Sequence, residues 1–171
     1  MFVDDDGLRL GERLLRAVPL PAAVLAGPRR VELRLEGWLE EVEEQIQAAR
    51  KLSDDFTIVE DGRFPIEPVD DSPIVVEAAV APSRIADAVR GRADWHALLG
   101  VGIVWLGLAD AGEELRAARR RISELGGIAP VVKGPGGLGD EPVAAPEIHR
   151  RLKQAFDPAG ILAPGKFWSD F

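Results

Sequence analysis

A chain of 171 residues, 46% apolar and 29% charged, can bury one good core, or one domain with an attached tail. The complete lack of cysteine excludes disulfides, thiolate metal sites and cysteine nucleophiles. A net charge of -8 disfavours non-specific binding to nucleic acid or anionic membrane, and no apolar run reaches the length of a membrane span. The opening residues, Met1-Phe-Val-Asp-Asp-Asp-Gly7, do not read as a signal peptide, so a cytoplasmic protein is expected.

In chain order, a short amphipathic helix is expected over residues 8–18, ended by Pro19 and Pro21. Residues 22–26 suit a small strand, and Gly27-Pro28 turns it. Val31-Glu-Leu-Arg-Leu-Glu36 alternates strictly and predicts a second strand. Leu39, Val42, Ile46 and Ala49 then give helical spacing, and residues 56–59 a further short strand. This first unit reads β-β-α-β. Residues 60–73, rich in Asp, Gly and Pro, form a connector. Beyond it come a strand at 74–80, a short helix at 82–89, and strands at 95–99 and 103–108. A helix at 111–125 and a strand at 128–132 complete the second unit, β-α-β-β-α-β.

That order is the split β-α-β, ferredoxin-like plan, and the first unit resembles a partial copy of it. The expected fold class is α+β: an antiparallel sheet, continuous or in two abutting parts, with helices on one face. A C-terminal helix and ordered tail follow.

The chemical inventory is sparse. The Lys133-Gly-Pro-Gly-Gly-Leu-Gly-Asp140 loop lacks the spacing of a phosphate cradle, and no helix begins directly after it. His96 and His149 are the only histidines, and neither has partners at metal-ligand spacing. Asp54-Asp55 and Asp70-Asp71 read as loop punctuation. Glu40, Glu41, Glu43 and Glu44 read as an exposed helix face, and Arg116, Arg119, Arg120 and Arg121 as a solvated, ion-paired one. Trp38, Trp95, Trp105 and Trp168 suit core or interface anchors. No residue stands out as catalytic, and no metal site is expected.

The closing stretch is the most specific. Pro146 suits a first helical position, and Ile148, Leu152, Ala155 and Phe156 share one face. Pro158 pushes Asp157 out of the helical region and stops the helix. Gly160 can take a positive φ, and Pro164-Gly165 suits a type II turn. Arg151-Leu-Lys-Gln-Ala-Phe-Asp-Pro-Ala-Gly-Ile-Leu-Ala-Pro-Gly-Lys166 resembles the closing signature of FAD-linked oxidases of the vanillyl-alcohol-oxidase type. It departs from that signature at Ala163, where the family commonly has Asn. The order of features over residues 19–168 is similar to the C-terminal half of the FAD-binding E subunit of bacterial glycolate oxidase.

The resemblance implies a flavoprotein oxidoreductase acting on a small 2-hydroxy acid, with this chain forming a cap over the flavin. It implies FAD bound mainly by a separate flavin domain, in cis or in trans, so this chain alone should neither bind FAD tightly nor turn over. Further oxidase subunits are possible partners. The implied segments are an N-terminal piece (1–18), an α+β cap or substrate domain (19–145), and a helix with a docking tail (146–171). Ile161, Pro164, Gly165 and Lys166 are the candidate contacts with the flavin domain. The metal-binding His-x-Gly-Asp-Gly-Asn-x-His segment of lactate-type relatives is absent from the sequence. The rival expectation is a non-catalytic α+β ligand-binding, dimerisation or assembly module.

Overall fold

The computed structural model describes residues 2–3, 6–59, 71–135 and 145–161, which fall in two compact units, Met1–Gly134 and Pro135–Phe171. The first begins with β1 (Phe2–Val3), α1 (Gly7–Ala17), β2 (Ala23–Ala26), β3 (Arg30–Arg34) and α2 (Leu39–Arg50). It continues with β4 (Ile74–Ala79), a 3-10 turn (Pro82–Arg84) leading into α3 (Ile85–Val89), β5 (Trp95–Leu98) and β6 (Ile103–Leu108). It closes with α4 (Glu113–Glu124) and β7 (Val131–Lys133). The strands form one seven-stranded sheet in the order β1-β3-β2-β5-β6-β4-β7, every pairing antiparallel.

The split β-α-β plan is present, and the order shows it twice. β5-β6-β4-β7 is the strand arrangement of a complete β-α-β-β-α-β unit. β1-β3-β2 repeats that arrangement without a fourth strand among the described residues. The halves join through β2 and β5, where Leu25 pairs with Leu98 and Ala26 with Ala97. The sheet is therefore continuous.

Three strand expectations need correction. The first half is β-α-β-β-α, because Phe2 and Val3 pair with Val31 and Arg30 as a strand ahead of α1. Residues 56–59 supply a single bridge position at Phe56, and Ile58 and Val59 stay exposed. The last strand is displaced from 128–132. Ile128 makes an isolated bridge to Ala79, and the Pro130 carbonyl accepts the Glu77 N–H. Proline has no N–H to return, so the ladder shifts between Val75 and Val76 before β7 resumes.

Burial alternates along the strands as the pleat requires. Val24, Ala26, Val31, Ala97, Val104, Leu106, Leu108, Val76 and Ala78 lie on one face and are buried. The helices cover that face, α1 through Leu10 and Leu14, α3 through Ile85 and Ala88, and α4 through Leu115, Ala118 and Ile122. Each fully buried aliphatic side chain contributes about 1.5–3 kcal/mol of transfer free energy. Local chemistry sets the helix ends. The Asp6 carboxylate accepts the Arg9 N–H at 3.1 Å at the start of α1, and Glu41 accepts the Trp38 N–H at 2.9 Å at the start of α2. Trp38 itself is 82% exposed, so it is no core anchor, whereas Trp95 is buried.

In the second unit α5 (Pro146–Phe156) begins with Pro146 in its first turn, and its C-cap Asp157 takes φ -140°. None of its residues is buried: Ile148, Leu152 and Phe156, on the expected shared face, are exposed.

Candidate functional site

Three features carry chemistry: the sheet face opposite α1, α3 and α4, a cleft at one end of the strands, and the turn after α5.

The face opposite α1, α3 and α4 is half-buried and mixed in character. Glu32, Leu25, Leu98 and Ile103 follow one another across β3, β2, β5 and β6. Along the next row His96 stands opposite Trp105, and Trp105 opposite Glu77. The Trp105 indole N–H donates to Glu77 Oε2 at 2.9 Å, which fixes the ring across the strands and satisfies its one polar atom. The His96 ring lies against the Gly27 backbone. Its Nδ1 is buried without a hydrogen-bond partner among the described residues.

Burial, and then the Arg30 guanidinium, push the His96 imidazole down from 6.5 to about 4, against an opposing pull from Asp94. The ring is therefore neutral at pH 7 and too weakly basic for efficient proton abstraction there. This has a consequence for stability. Between the unfolded value near 6.5 and the folded value near 4, the unfolded chain binds a proton that the folded ring does not. The contribution is intact above the unfolded value and is lost as pH falls toward the folded one. The shift sets a ceiling of about 3 kcal/mol, which partial exposure of the ring reduces to about 1–2 kcal/mol. Denaturant midpoints measured across this window should fall for the natural chain, with a flatter slope for His96→Gln.

The cleft, of about 660 Å³, opens between the ends of the strands and α4, with Arg90, Arg92, Asp94, Glu114 and Arg121 on its walls. Asp94 is engaged by the Ser72 hydroxyl. Arg121 Nε donates to the Asp87 carbonyl at 2.7 Å, and Arg90 pairs with the Asp87 carboxylate. Glu114 accepts the Ala109 N–H at 2.7 Å and approaches Arg92 at 3.8 Å. The expected ion-paired face on α4 is thus partly redirected: Glu114 and Arg121 reach across to the loop after α3 and to its last turn.

Asp157 anchors the turn after α5. Its side chain is 4% exposed and pairs with Lys153 one helical turn earlier. Its Oδ1 accepts the Ile161 N–H at 2.9 Å, and its carbonyl accepts the Gly160 N–H at 3.0 Å. Gly160 takes φ +64°, as the turn demands. Ile161 is exposed at the end of this turn. Pro164, Gly165 and Lys166, the other candidate docking residues, lie outside the described residues.

His149 is partly exposed on α5, Asp54 and Asp55 are exposed loop residues, and Glu40, Glu41, Glu43 and Glu44 are exposed on α2. Among the described residues no group of three His, Asp or Glu side chains is placed to hold a metal ion, and no helix is long and apolar enough to cross a membrane. Sequence reasoning missed the roles of Glu77 and Arg92. Glu77 is one carboxylate in an apolar strand, and that was the available signal for a paired, half-buried group.

No curated protein and no solved structure matches the chain. Residues 142–167 match the family model described as FAD linked oxidases, C-terminal domain. The match takes in α5 and the Asp157 turn, so the closing segment of this chain is similar to the C-terminal domain of FAD-linked oxidases.

Proposed function

We propose that the chain is the C-terminal, cap-forming domain of an FAD-dependent oxidoreductase of the glycolate oxidase type, acting on a small 2-hydroxy acid. The observation that carries this reading is the coincidence of the family match at residues 142–167 with the Asp157-anchored turn. FAD would be held mainly by a flavin domain in cis or in trans, and further oxidase subunits could join it.

The described residues fit the cofactor as a wall and not as a cradle. The sheet face opposite α1, α3 and α4 offers Leu98, Ile103 and the Glu77-fixed Trp105 as a surface that excludes water. No glycine-rich loop opens a helix among them to hold a pyrophosphate. When bound, FAD supplies hydride acceptance, and this chain's own part is to shape and dry the pocket. His96, neutral at pH 7, can serve that wall as a polar group without adding charge.

Docking is assigned to the exposed stripe Ile148, Leu152 and Phe156, to the exposed Ile161, and to the tail residues Pro164, Gly165 and Lys166. An exposed Phe on such a stripe suits an interface anchor. Phe156→Asp should leave the circular dichroism spectrum unchanged, because Phe156 is 78% exposed. It should weaken retention of a flavin domain by about tenfold or more, since central aromatic anchors contribute at least ~2 kcal/mol. Retention unchanged by Phe156→Asp, read by co-elution, would count against this docking surface.

A further inference from the structure

The strand-end cleft holds guanidinium N–H groups that the described residues do not satisfy. The Arg92 side chain is only 16% exposed, yet its one anionic neighbour among the described residues is Glu114 Oε1 at 3.8 Å. That separation is too long for a hydrogen bond, so the guanidinium fork makes none to the described residues. Glu114 is shared, because its other oxygen takes the Ala109 N–H. Arg121 stands near enough to repel Arg92, and burial and that repulsion both hold the Arg92 pKa below its usual value, against Glu114. Arg121 commits only Nε, to the Asp87 carbonyl, which leaves its terminal NH2 groups uncommitted among the described residues.

Three carboxylates temper this field. Asp94 is tied to Ser72, Glu114 is divided as described, and Asp71 is exposed at the rim. Arg90 turns to Asp87, whose carboxylate it shares with Arg84. What is left is a half-buried guanidinium with a second one beside it and room for a ligand. A half-buried guanidinium with one distant, shared carboxylate is only partly compensated, and an oxyanion that accepts two of its N–H bonds improves that balance.

We propose that this cleft binds a small anion through its oxyanion group, a carboxylate or a phosphate, held by the Arg92 fork and the free end of Arg121. The apolar backing from Leu108 and Ala117 suits a compact ligand with little beyond that group.

The test uses the whole chain, without flavin or partner, so its outcome is separable from that of the proposed oxidase function. Inorganic phosphate and malonate are titrated separately by calorimetry, each at concentrations up to tens of millimolar. Saturable binding of either is expected, and which one binds distinguishes the phosphate source from the carboxylate source. Arg92→Gln should weaken it by about tenfold or more, while Arg116→Gln, on the exposed side of α4, should leave it unchanged. Should Arg92→Gln fail to fold, Ala117→Glu provides the second readout. It places a carboxylate on the cleft wall, at a helical position that tolerates Glu, and should abolish binding by occupying the site. Absence of saturation with both probes, or binding indifferent to both variants, overturns the proposal.

Discussion

Gly102→Ala is expected to lower the unfolding free energy by about 3–5 kcal/mol, combining backbone strain with the disruption of a buried hydrogen bond. Gly102 takes φ +89° in the turn between β5 and β6, and a Cβ built there would lie 2.0 Å from the Val80 carbonyl oxygen. That atom is backbone and cannot rotate away. Relieving the clash means moving the end of β4 from the turn, although the Val80 N–H donates to the Gly102 carbonyl at 2.9 Å. Gly126 provides the comparison. It has φ +76° at the end of α4, but a Cβ there would meet nothing within 4 Å. Gly126→Ala should therefore show only the left-handed penalty, about 1–2 kcal/mol. Urea titrations with unchanged slopes would measure both losses as midpoint shifts.

Leu106→Ala is expected to cost about 3–4 kcal/mol, the range for a well-enclosed leucine whose cavity cannot collapse. Leu106 is fully buried in β6, between Trp95 on β5 and Val76 on β4. Strands pin it on both sides, so the backbone cannot close over a void. Leu20, 91% exposed, is the contrast, and Leu20→Ala should be near neutral. Equal losses at the two positions would mean that β6 is not the centre of the core.

The second half-sheet was legible because its strands are buried on the helix side and bounded by turn residues. The run at 74–79 is unbroken apart from Glu77, and Gly100 and Gly102 mark the turn that joins β5 to β6. β1 was not legible, since two apolar residues before Asp4, Asp5 and Asp6 carry no periodicity; only pairing with Val31 makes them a strand. Residues 56–59 misled in the opposite way, with strand-forming composition but a single bridge position, at Phe56, in place of a strand. The duplicated topology was expected from element order and is visible once β2 and β5 meet.

The candidate sites divide along the same line. The turn after α5 could be read from Pro158 and Gly160 because its determinants are local, and the Asp157 side chain completes it within four residues. Neither the Trp105–Glu77 pair nor the Arg92 cleft could be read this way. Their partners lie 28 and 22 residues apart in sequence, at the separations of Glu77 from Trp105 and of Ser72 from Asp94. Arg121, grouped with its helix neighbours by spacing, bonds a carbonyl 34 residues away. Spacing rules for one helix face do not see such contacts.

The most direct test of the oxidase reading is to mix the purified chain with FAD and a flavin-binding half encoded beside it, and to record the absorbance of the eluting complex. A yellow complex containing both polypeptides and bound flavin is the expected result. A stable, colourless homodimer that takes up no flavin with any partner half would contradict it.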